Sequence, residues 1–130
     1  MERLLVNSST RRAMVLVVED EALVRMEAAD YLRMAGFAVL EATNGEEALQ
    51  LLDVHAEIDV LFTDIRLGGQ INGWEVAEAF RSRHPDIPVL YTSGNSISPP
   101  RNVELSRFFS KPYRPEEIAA ACHIFCETRP

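Results

Sequence analysis

Between Ile58 and Gly69 the chain reads Ile-Asp-Val-Leu-Phe-Thr-Asp-Ile-Arg-Leu-Gly-Gly, and this stretch constrains the fold more than any other. Val60, Leu61 and Phe62 form an apolar, partly β-branched run of strand length. A run without polar alternation belongs to a strand buried on both faces, as in the middle of a parallel sheet. Asp64 closes the run and a Gly-Gly turn follows. A carboxylate at the carboxyl end of a buried strand stands where open α/β sheets bind their ligands. An Asp at a strand end is more often a plain turn former. Its meaning therefore depends on what joins it.

The rest of the chain supplies a repeating pattern. Ala13–Val18 is a fully apolar strand stopped by Glu19-Asp20-Glu21. From Ala22 to Ala35, Leu23, Met26, Ala29, Tyr31 or Leu32, and Met34 recur near helical spacing, and Gly36 ends the helix. Phe37–Ala42 is a strand. Thr43-Asn44-Gly45-Glu46-Glu47 then offers a cap with acids in the first turn of a helix that runs through Leu52. The central strand, Ile58–Thr63, leads through a Gly-rich loop to a helix over Gly73–Arg83. Val89–Thr92 and Arg107–Ser110 are two further strands, and Pro115-Glu116-Glu117 opens the last helix, with Ile118, Ala121, Cys122 and Phe125 on one face. Repeated β-α units with Val/Leu-rich strands predict a doubly wound α/β fold. It has a five-stranded parallel sheet in the flavodoxin-like order 2-1-3-4-5 and helices on both faces. Residues 1–12 read as a flexible extension and 13–130 as one domain.

Charge and composition narrow the function. At 130 residues, 47% hydrophobic and 25% charged, the chain can bury a core without staples. A formal net charge of -7 argues against sequence-independent binding of nucleic acid or anionic membrane. It suits a site that gathers carboxylates around a cation. No apolar run reaches the roughly 20 residues of a membrane helix. The opening Met1-Glu2-Arg3-Leu4-Leu5-Val6 reads as too short and too mixed for a secretory signal. The expected location is the cytoplasm, with no membrane insertion. Cys122 and Cys126, four apart on a helix, read as reduced structural thiols, Cys122 in the core and Cys126 nearer the edge.

Parallel strands deliver their carboxyl ends to one edge of the sheet. At those ends stand Glu19 and Asp20, Asp64, Thr92 and Ser93, and Lys111. Three acids, hydroxyls and an ammonium therefore converge. This set resembles the receiver domains of two-component response regulators, over Ala13 to Thr128. An acidic pair follows strand one, an Asp strand three, a Thr and a small residue strand four, and Lys111-Pro112 strand five. The resemblance implies that Asp64 is the phosphoacceptor. It further implies that Glu19, Asp20, Asp64 and the main-chain carbonyl of Arg66 hold Mg²⁺. Thr92 is then the switch hydroxyl, with Ser93 beside it in the phosphate-binding set, and Lys111 pairs with the phosphate. Phe108 is the aromatic rotamer switch, and Pro112 follows a cis peptide.

The same resemblance implies a phosphoryl donor, either a sensor histidine kinase or a phosphotransfer protein. Activity would be confined to the domain's own Mg²⁺-dependent phosphotransfer and dephosphorylation. Output would pass to a downstream protein, or to a second copy as a homodimer, on the face built by the helix between strands four and five, strand five and the last helix. Phosphate could equally be relayed onward. With one helix after Pro115, direct DNA binding is not expected. The loop Ile65–Gly73 is longer than the family's usual run and lacks its Met-Pro. Pro99-Pro100 restricts any helix before strand five to Arg101–Leu105 at most, a segment expected to be ordered by phosphorylation. Two other readings stay open: a pseudo-receiver that binds partners without phosphorylation, and a flavodoxin-like binder of a small ligand.

Overall fold

A computed structural model describes residues 12–94 and 101–128. The residues 1–11 of the expected extension, and residues 95–100 between the fourth and fifth strands, lie outside the described residues. In chain order the elements are β1 (Met14–Val18), α1 (Ala22–Met34), β2 (Ala38–Ala42), α2 (Gly45–Val54), β3 (Val60–Asp64), α3 (Gly73–Arg83), β4 (Val89–Ser93), β5 (Ser106–Ser110) and α4 (Pro115–Thr128). All strand pairings are parallel, and the sheet runs β2-β1-β3-β4-β5, as expected.

Strand alternation sorts the core into two layers. Val15, Val17, Val60, Phe62 and Leu90 face α1 and α4, meeting Ala28, Leu32, Ile118 and Cys122. Leu16, Val18, Leu61, Val89 and Tyr91 face α2 and α3, meeting Leu52, Trp74, Ala77 and Phe80. Every residue of β3 and β4 is buried, which explains their unbroken apolar reading. Each large side chain so buried contributes roughly 1.5–3 kcal/mol relative to exposure.

Local chemistry sets the helix starts. Asn44 Oδ1 accepts the Glu47 N–H at 2.8 Å, while Glu47 reaches back to the Thr43 N–H. Asn72 and Glu75 close a reciprocal capping box at 2.9 Å in each direction. Gly73 is required by space, because a Cβ there would lie 2.1 Å from the Asp64 carbonyl oxygen. That close approach seats the start of α3 directly under the end of β3. Gly36 ends α1 at a φ of 104°, a backbone region that other residues enter at a cost.

One expectation needs correction in part. On α1, Leu23 (81% exposed), Met26 (48%) and Met34 (84%) face outward, and the core face is Ala28, Ala29 and Leu32. Ala29 and Leu32 of the spacing read from the sequence do face the sheet, joined by Ala28, while the other large residues of that spacing do not. Residues 101–105 form no helix, within the bound that Pro99-Pro100 sets. They are tied to α3 and β4 instead: Arg101 pairs with Glu78, the Tyr91 hydroxyl accepts the Val103 N–H at 3.0 Å, and Arg81 Nη2 donates to the Leu105 carbonyl at 3.1 Å. The cysteines fall as expected. Cys122 is fully buried beside Ile118 with its thiol pushed up to about 12 by burial, and Cys126 is partly exposed.

Candidate functional site

The carboxyl edge of the sheet holds a cavity of about 410 Å³ lined by Glu19, Asp20, Glu21, Asp64, Arg66, Ser93, Gly94 and Lys111. β1 and β3 pair through Val18 and Thr63, so the residues that follow, Glu19 and Asp64, leave the sheet side by side. β3 and β4 pair Asp64 with Thr92, and β4 and β5 pair Ser93 with Ser110, which brings Lys111 to the same rim. Glu19, Asp20 and Asp64 each offer a carboxylate oxygen within 4.8 Å of the others.

Lys111 Nζ donates to Glu19 Oε1 at 2.8 Å and to Asp64 Oδ2 at 2.9 Å. The Arg66 N–H points at Asp64 Oδ1 at 3.4 Å, and the Gly68 N–H donates to Asp20 Oδ2 at 3.2 Å. Glu19 and Asp64 are almost entirely buried, whereas Asp20 is exposed. The Lys111–Pro112 peptide bond is cis.

Electrostatics follow from this crowding. Burial raises the proton affinity of Asp64, Lys111 offsets that in part, and Asp20 adds repulsion. Glu19 is raised likewise, first by burial and then against the opposing pull of Lys111, with Asp64 repelling it. For Lys111, burial works to lower the pKa, but its bonds to Glu19 and Asp64 outweigh it and the ammonium is held above its ordinary range. Three acids against one ammonium leave excess negative charge, a donor set that suits a hard divalent cation.

Thr92 is 1% exposed, and its Oγ1 has no hydrogen-bond partner among the described residues. A buried hydroxyl left so is costly unless something else engages it. Phe108 stands apart from the cavity. It lies on the α2–α3 side of the sheet, opposite Tyr91 in register, at a small void of about 50 Å³ that Trp74 also lines.

The sequence reading missed several residues here. Tyr91 and Trp74, tilted by 50° with ring centroids 4.7 Å apart, pack in the same layer as Phe108. Tyr113 lines a neighbouring cavity with Lys111 and Pro112 and meets Phe62 edge-on, its phenol pushed up to about 12 by burial and by the charge of Glu19. Arg25 meets the backbone at Glu19. An aromatic directly before Thr92 was a visible signal for Tyr91. Nothing in a single sequence marks Arg25, because it reads as one more polar residue of a surface helix.

A family model described as the response regulator receiver domain matches residues 15–123. The sensor kinase CckA of Brucella abortus is 36% identical over 83 residues, 63% of this chain and 9% of that protein. The chain spans less than half of each of four curated relatives, at 9%, 20%, 42% and 45% of their lengths. A response regulator receiver protein from Sinorhizobium medicae superposes with a TM-score of 0.87 at 29% identity, covering 92% of this chain and 98% of that one. The response regulator TrrA of Thermotoga maritima, solved with Mg²⁺ and BeF, gives 0.78 at 26% identity, covering 87% and 98%.

Proposed function

The chain belongs to the response regulator receiver domains of two-component signalling, and on that premise we propose that it is a phosphorylation-controlled switch whose phosphoacceptor is Asp64. The donor would be a phosphohistidine on a sensor kinase or phosphotransfer protein. The observation that carries the reading is the Thr92 hydroxyl, buried and without a partner among the described residues, on a residue paired in register with Asp64. A phosphoryl oxygen on Asp64 would give that hydroxyl an acceptor.

Asp64 is the nucleophile. Its carboxylate oxygen forms the new bond to phosphorus as the bond from phosphorus to the donor nitrogen breaks, and the electron pair stays on the imidazole. Such a transfer needs positioning and neutralised charge more than acid–base chemistry. Lys111, already 2.9 Å from Asp64, follows the charge onto a phosphoryl oxygen. Mg²⁺, held by Glu19, Asp20, Asp64 and the main-chain carbonyl of Arg66, would supply positive charge to the transferring group. The acidic donor set and the surplus of negative charge fit such an ion.

The product carries about -2 charge in place of about -1. Thr92 then donates to it, and its movement is passed along β4 to Tyr91 and across the register to Phe108. The switch is a biased two-state equilibrium between these arrangements. We place the exchange in the cytoplasm, and confine catalysis to the domain's own phosphotransfer and dephosphorylation. Output goes to a protein, or to a second copy, on the face of β5, α4 and the segment before β5. Among the described residues no helix is long and apolar enough to cross a membrane. A flavin or nucleotide binder would need donors where Glu19, Asp20 and Glu21 stand, and the acid-lined cavity counts against it.

Incubation with radiolabelled acetyl phosphate, with Mg²⁺ and with excess EDTA, tests the proposal. Label retained only with Mg²⁺ is the expected result. A pseudo-receiver would take no label in either condition.

A further inference from the structure

The peptide that joins Glu19 to Asp20 is held from one side by an arginine that touches neither carboxylate. Arg25, at the end of the first turn of α1, donates through Nη1 to the Glu19 carbonyl oxygen at 3.0 Å and through Nε to Glu41 Oε1 at 3.1 Å. Its side chain is only 14% exposed. Glu41 lies in β2 and is gripped a second time by Arg33 Nη2 at 3.1 Å. The Glu19 N–H is fixed in turn by the Ala42 carbonyl at 3.1 Å, which carries the β1–β2 pairing one residue further.

Resting on the phosphoacceptor reading above, we propose that Arg25 is a positioning residue for the cation site, holding the Glu19–Asp20 peptide so that both carboxylates face the cavity. A peptide unit is planar, so fixing its carbonyl fixes the direction in which Asp20 leaves. Glu19 reaches inward to Lys111 at 2.8 Å, while Asp20 extends toward the Gly68 N–H at 3.2 Å. Turning that one peptide would carry Asp20 away from Glu19 and Asp64. The guanidinium is suited to the task because its rigid fork serves two acceptors at once, whereas an ammonium is a single point. Partners of this kind, one bond removed from the ligands, set ligand orientation and through it cation affinity.

Charge and geometry pull in opposite directions here, which makes the proposal sharp. Arg25 and Arg33 against Glu41 leave net positive charge beside the acids. Acting by charge alone, Arg25 would repel a divalent cation, and its removal would tighten binding. Acting by position, its removal loosens binding.

Isothermal titration with Mg²⁺, without phosphodonor, on the wild type, Arg25→Met and Arg25→Lys decides between them. Arg25→Met should weaken Mg²⁺ binding by about tenfold, with Arg25→Lys in between. In acetyl phosphate labelling the half-saturating Mg²⁺ should rise by the same factor, while the rate at saturating Mg²⁺ stays within about twofold. Unchanged or tighter Mg²⁺ binding in Arg25→Met overturns the proposal. So does a lowered maximal rate at an unchanged Mg²⁺ requirement, the mark of general damage. If circular dichroism shows that Arg25→Met does not fold, Arg25→Lys carries the test: it keeps the charge but loses the fork and should weaken Mg²⁺ severalfold, and no change there overturns the proposal. Wild type that binds no Mg²⁺ would remove the phosphoacceptor reading and this inference with it. Wild type that binds, with variants that do not differ, would sink this inference alone.

Discussion

Lys111 Nζ lies 2.9 Å from Asp64 Oδ2, although 47 residues separate them in sequence and β4 lies between their strands in the sheet. The same ammonium serves Glu19 at 2.8 Å. One cation thus ties together the ends of β1, β3 and β5. It does not balance them, and Asp64 and Glu19 both hold protons more firmly than ordinary carboxylates.

Burial of these carboxylates, more than the charge imbalance, fixes a pH dependence. Because the folded-state pKa of Asp64 is raised above its ordinary 3.8, the native state binds more protons than the unfolded one between the two values. Stability therefore falls as pH rises through that window and stays lower above it. Asp64→Asn removes the charge. Without Mg²⁺ at pH 7.5 the variant should melt higher than wild type by on the order of a few degrees, and the gap should shrink toward pH 4. A gap of the same size at both pH values would contradict the electrostatic account.

Mg²⁺ should relieve the same strain. A cation bound only by the folded state raises stability by mass action, about 2.7 kcal/mol at a hundred times its dissociation constant. The melting temperature of wild type should climb with Mg²⁺, and Asp20→Ala should lose most of the shift. An undiminished shift in that variant would put the ion elsewhere.

The segment before β5 offers a local test. The Val103 N–H is held by the Tyr91 hydroxyl at 3.0 Å. Tyr91→Phe keeps the ring on Trp74 but removes the acceptor. A net hydrogen bond of about 1 kcal/mol corresponds to about fivefold in an opening equilibrium. Hydrogen exchange at Val103 should speed up by that factor, with the Leu61 amide unchanged. Equal acceleration at both would mean that the whole domain had been loosened.

Much of the fold was legible because its strands are simple. β1, β3 and β4 carry no polar alternation, and only a sheet covered on both faces explains that. Residues at strand ends could be gathered at one rim because parallel topology leaves no other place for them. α1 was harder. Leu23, Met26 and Met34 follow a helical spacing, yet they face outward, and the smaller Ala28 and Ala29 meet the sheet. Periodicity gives the period of a helix more reliably than its phase when large and small apolar residues mix. Arg25 and Tyr113 were invisible for another reason: their roles rest on contacts across the tertiary fold, to Glu19 and Glu41 for one and Phe62 for the other.

The central claim is that Asp64 alone takes the phosphoryl group. Intact-mass measurement after incubation with Mg²⁺ and acetyl phosphate tests it most directly, on wild type and Asp64→Asn in parallel. Wild type should gain one phosphoryl group and Asp64→Asn none, while circular dichroism confirms that the variant is folded. Undiminished labelling of folded Asp64→Asn would contradict the assignment.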